Sequence, residues 1–117
     1  MTDKYWIDYN NFIQKVESLT QQSPSYLLNR YTELILSLEK SNGKDLQEFE
    51  FELSYESWAR VEIQKVFEEE TLTENQLFKV FLKNINELDM RMEKYLENYG
   101  ENKWWENPKF KKINASH

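Results

Sequence analysis

Residues 73–100 read TENQLFKVFLKNINELDMRMEKYLENYG, and the period of their apolar residues sets the fold class. Phe78, Phe81, Ile85, Leu88, Met92, Tyr95 and Tyr99 recur at alternating steps of three and four. That spacing puts all seven on one side of an α-helix, as a heptad seam; a strand would alternate in twos. Thr73 with Gln76 predicts a capping box, each side chain satisfying a backbone amide of the first turn, and Leu72 with Leu77 predicts a hydrophobic staple across it. Gly100 is the expected stop, because glycine accepts the left-handed conformation that closes a helix.

The sequence before this helix reads as more helices. Over residues 4–21, Tyr5, Tyr9, Phe12, Val16 and Leu19 mark one face, widened by Trp6 and Ile13. A second helix is expected to start at Ser23 and Pro24: the serine caps free amides, and proline lacks the N–H that would go unpaired. Leu27, Leu28, Tyr31, Leu34, Ile35 and Leu38 form its apolar face, and Ser41-Asn42-Gly43 its end. Residues 45–70 admit two readings. Phe49, Phe51, Leu53 and Tyr55 alternate with Glu50, Glu52 and Ser54, as a strand would. Leu46, Phe49 and Leu53 also fit a helix, and a lone strand would leave its backbone groups unpaired. Helix over 45–52, a break near Ser54 and helix again over 56–70 is the favoured reading. The expected fold is therefore all-α, an antiparallel bundle of about four helices over residues 1–100, with a short strand over 49–55 as the alternative. Residues 101–117 form a polar, aromatic tail interrupted by Pro108.

Composition removes most catalytic readings. The 117 residues include no cysteine, two glycines (Gly43 and Gly100) and one histidine, His117, at the last position. These cannot supply a thiolate nucleophile, a zinc–thiolate site, a glycine-rich phosphate loop or a Ser–His–Asp triad. The carboxylates form no calcium-binding loop, and Glu68, Glu69 and Glu70 point three ways round a helix. No enzyme activity, cofactor or metal is expected. The opening MTDKYWIDYNNF lacks the apolar centre of a secretory signal, and no apolar run is long enough for a membrane. With cysteine absent as well, a cytoplasmic protein is expected. Aromatic residues make up 15% of the chain, too many for a disordered acidic tail.

The net charge of −6 is unevenly placed. Residues 1–44 are neutral, residues 75–117 carry +2, and residues 45–74 carry −8, with ten acids against Arg60 and Lys65. Two structural readings account for such a belt: a solvated helix face, or a cradle for the basic tail (Lys103, Lys109, Lys111, Lys112). A functional reading is a binding surface for a basic partner, since focused charge accelerates encounter. The candidate contacts are Asp45, Glu48, Glu50, Glu52, Glu56, Glu62, Glu68, Glu69 and Glu70, with Tyr55 and Trp58 among them. Trp104 and Trp105 join the list. Adjacent residues cannot share a helix face, so one ring is expected on the bundle and the other partly in water, where tryptophan anchors interfaces. The same charge argues against nucleic acid as the ligand, which needs a positive footprint.

In size, acidity, lack of cysteine and the aromatic-bearing acidic stretch from Phe49 to Glu70, the chain resembles small acidic bacterial immunity proteins. The resemblance implies a cytoplasmic, non-enzymatic inhibitor that binds a basic toxin, such as a nuclease domain, and covers its active or substrate-binding site. Phage-type inhibitors and nucleic-acid mimics share the profile. A helical self-association or adaptor module, with the 78–99 seam as its dimer interface, is the other reading, so monomer and homodimer both stay open.

Overall fold

The computed structural model describes residues 2–41 and 57–109. Four α-helices occupy them: α1 (Thr2–Thr20), α2 (Pro24–Ser41), α3 (Trp58–Phe67) and α4 (Gln76–Met92). Short 3₁₀ turns lie at Glu70–Leu72, Glu93–Tyr95 and Trp104–Glu106. The fold is an all-α bundle, without a β-strand among the described residues. The expected helix over 45–52, the break at Ser54 and the alternative strand over 49–55 lie outside them.

Ser23 opens α2 as its sequence predicts: the Tyr26 amide donates to Ser23 Oγ at 3.1 Å. Leu27, Tyr31, Leu34, Ile35 and Leu38 then face the core. α3 supplies Ala59, Ile63 and Val66, and α4 supplies Phe78, Phe81, Ile85, Leu88 and Met92. Each of α1 and α2 packs on both α3 and α4, while α1 and α2 meet each other far less. α3 and α4 run antiparallel, because Arg60 faces Asp89 at one end and Phe67 faces Phe78 at the other.

Three local expectations are corrected. Asn75, not Thr73, caps α4: its Oδ1 accepts from the amides of Leu77 and Phe78 at 2.9 and 3.0 Å. Thr73 is otherwise engaged, its hydroxyl donating to the Glu70 carbonyl at 2.8 Å inside the preceding 3₁₀ turn. Gly100 does not end α4. The helix tightens to 3₁₀ after Met92, and Leu96 turns extended at φ −115° and ψ 134°. Burying Leu96 drives the departure; it is 2% exposed, with Tyr95 beside it in the core. The seam of heptad positions thus outlasts the helix and packs inside its own chain. The third correction is in α1, where Phe12 and Val16 are buried but Tyr5, Trp6 and Tyr9 are exposed. α4 begins level with Asp8, where the Gln76 amide meets Asp8 Oδ2 at 3.1 Å. The first turns of α1 extend past that level.

The described part of the tail folds back. Asn98 Nδ2 donates to the Asn107 carbonyl at 3.1 Å, and the Lys109 amide donates to Asn98 Oδ1 at 3.0 Å. The Glu97 amide donates to the Lys109 carbonyl at 2.7 Å. The loop so closed carries Trp104 and Trp105 to α3.

Candidate interaction surfaces

Asp45, Glu48, Glu50, Glu52, Tyr55 and Glu56 lie outside the described residues. Trp58 is half-buried at the start of α3, its ring 6.4 Å from that of Tyr26. Glu62 is engaged along its own helix by Lys65, at 2.9 Å. Glu68, Glu69, Glu70 and Glu74 gather where α3 ends and the next turn begins. Glu68 accepts from Gln64 Nε2 at 3.2 Å. Glu69 accepts from the Thr71 hydroxyl at 2.6 Å and stands 3.8 Å from Lys15. The Thr71 bond, with smaller help from Lys15, holds its carboxyl below the usual range. Glu70 is exposed, and exposed Glu74 stands 3.6 Å from Lys79. Acids at a helix C-terminus face the negative end of the peptide dipoles, so Glu68 and Glu69 do not favour α3. Their placement is not explained by the stability of the helix they follow.

Trp104 is buried at 7% exposure and Trp105 is half-buried, one ring inward and the other at the edge, as their adjacency predicts. Their contacts are within the chain. The Arg60 guanidinium lies 4.9 Å from the Trp105 ring centre, 5.7 Å from Trp104 and 5.1 Å from Phe67. Trp104, a candidate partner contact by sequence, lies buried beside Arg60 and Tyr99.

Arg60 is the part of the molecule that sequence reading missed. It is 4% exposed and donates through Nε and Nη2 to Asp89, both at 2.9 Å. Its Nη1 donates to Gln64 Oε1 at 3.0 Å. The Tyr31 hydroxyl donates to Asp89 Oδ1. Burial, then the Asp89 charge, raises the Tyr31 hydroxyl far above the ordinary phenol range. One carboxylate therefore joins α2, α3 and α4 at the centre of the bundle. The signal was present: Arg60 falls on the stripe of Ile63 and Phe67, and Asp89 lies four residues from Ile85 on the inward side.

Two clefts flank α1. A polar one of about 540 Å³ lies against the 71–75 turn. Within it Lys4 pairs with Asp8 at 3.2 Å, while Lys15 and Glu74 stand near Glu69 and Lys79 outside its lining. Among the described residues, no group of three or more His, Cys, Asp or Glu is placed to hold a metal ion. An apolar cleft of about 450 Å³ lies between α1, the start of α2 and α4. Near it Tyr5, Trp6 and Tyr9 form an exposed aromatic cluster, with Trp6 and Tyr9 edge-on at 5.5 Å. No helix among the described residues is long and apolar enough to cross a membrane. No protein-family model matches the chain, and neither a curated protein nor a solved structure is detectably similar to it.

Proposed function

We propose that this protein is a non-enzymatic, protein-binding inhibitor of the immunity type. It neutralises a basic toxin, nuclease-like in its charge, by laying an acidic surface over the active or substrate-binding site, and it works in the cytoplasm. The observation that carries this reading is the concentration of −8 in residues 45–74 while the rest of the chain is near neutral. Glu68 supports it, being an exposed acid at the end of a helix it does not favour. A surface of this kind speeds encounter with an oppositely charged partner and repels nucleic acid.

The test starts with the partner purified from the native host on the full chain. Its association rate is then compared for wild type and the triple reversal Glu48→Lys, Glu50→Lys and Glu52→Lys. The reversal is expected to slow association by roughly tenfold at low salt, with the gap closing as salt screens the charges. Equal rates at low salt would sink the reading.

A further inference from the structure

The apolar cleft beside α4 is half of a longer feature. Its floor is Phe12 and Phe81, with rings 5.5 Å apart, and its rim includes Tyr9, Ile13 and Val80. A second cleft, of about 290 Å³, continues between α2 and α4 as far as Arg91. Leu28 and Asn84 line both, so the two clefts adjoin along α4 as one track. From Leu77 to Arg91 it follows α4 for about 21 Å, at ~1.5 Å per residue, or close to four turns of a second helix laid along it. Val80 stands at the lip, 57% exposed, and Tyr9 continues through Trp6 into the aromatic cluster of α1. The apolar floor and lip of the first cleft offer an amphipathic helix a face to bury, and the second, where Asn29, Thr32 and Glu87 join Leu28 and Leu88, extends its track with polar lining.

The charged lining residues decide which helix. They are Glu17 in the first cleft, and Glu87 and Arg91 in the second. Arg91 is already held by Glu39, its Nε donating to Oε2 at 2.9 Å and its Nη2 to Oε1. Glu17 and Glu87 make no ion pair among the described residues, so the groove presents negative charge in both halves. We propose that this groove docks a basic amphipathic helix of a protein partner, with its apolar stripe over Phe81 and Val80 and its Lys or Arg side chains beside Glu17 and Glu87. The site rests on its own lining and not on residues 45–74, so the two stand or fall separately.

Selection of random peptides of about 16 residues, a little over four helical turns, against the full chain reads this preference directly. Enriched peptides are expected to carry apolar residues at helical spacing with Lys or Arg between them. Val80→Glu is expected to weaken a selected peptide by at least roughly tenfold, or ~1.4 kcal/mol. Glu17→Lys with Glu87→Lys is expected to weaken it several-fold at low salt and little at high salt. All three positions are at the surface, and an unchanged unfolding midpoint verifies that each variant folds. Enrichment of acidic or non-helical peptides, no enrichment, or equal binding by Val80→Glu overturns the proposal. So does a dimer of the free protein that Val80→Glu dissolves, because the groove would then belong to a second copy.

Discussion

Asp89 serves two donors from two other helices, and removing it strands both. Asp89→Ala leaves the Arg60 charge buried without a counter-charge, a situation that costs about 3–5 kcal/mol. The shift should appear as a lowered urea midpoint at unchanged slope. The triple variant Tyr31→Phe, Arg60→Met, Asp89→Leu should recover most of the loss, since no member of the cluster then stays polar and unpaired. Tyr31→Phe alone removes a hydrogen bond to a charged acceptor, about 1.5–3 kcal/mol. pH adds a second readout. Tyr31 and Tyr99 both hold their protons more tightly in the folded chain, chiefly through burial. The folded state then binds more protons than the unfolded one above the ordinary phenol value of 10.0. Stability is therefore complete below that pH and declines above it, and Tyr31→Phe should make the decline shallower. On the acid side the sign reverses. Asp8, held below its ordinary value first by the Gln76 amide, favours the folded state at neutral pH and loses that effect as pH falls below about 3.8. Asp8→Asn should flatten the acid limb of a stability–pH curve.

At the level of elements, the start of α4 separates local rules from tertiary ones. Asn75→Ala should cost about 0.5–2 kcal/mol in thermal or urea unfolding, the usual value of a lost cap. Thr73→Ala should cost much less, although the sequence pattern names Thr73 as the cap. The capping box from Thr73 to Gln76 is a legitimate local signature; what displaces it comes from residue 8. Asn75 Nδ2 donates to the Asp8 carbonyl at 2.8 Å, which turns its Oδ1 toward the helix amides. Ser23 and Pro24 were legible because everything that fixes them lies within one turn. The apolar faces of α2 and α4 were legible for the same reason, period alone placing Tyr31 and Ile85 inward. The ionic cluster was legible only as two charges on inward faces, because Arg60 and Asp89 are 29 residues apart and period does not say that they meet. The exposed aromatics of α1 were misplaced because periodicity gives a face but not the length of the neighbour it faces.

For the whole molecule, the folded-back tail is part of the core. Trp104→Ala should cost about 3–5 kcal/mol, as for other buried aromatics, and uncover Arg60. Its readout is the unfolding midpoint together with tryptophan emission. The acidic stretch was legible as charge, and its members among the described residues divide between those with a cation nearby (Glu62, Glu69, Glu74) and those exposed without one (Glu68, Glu70). The clasp between Asp8 and residues 75–76 has a consequence for synthesis. Its two sides are 67 and 68 residues apart in the chain. A ribosome adding about 5–20 residues per second takes several seconds to cover that distance. During that interval the apolar side of α1 still lacks α4. The nascent chain therefore makes α1 first and covers it late, and slowing translation between residues 20 and 76 should raise misassembly without changing the finished protein.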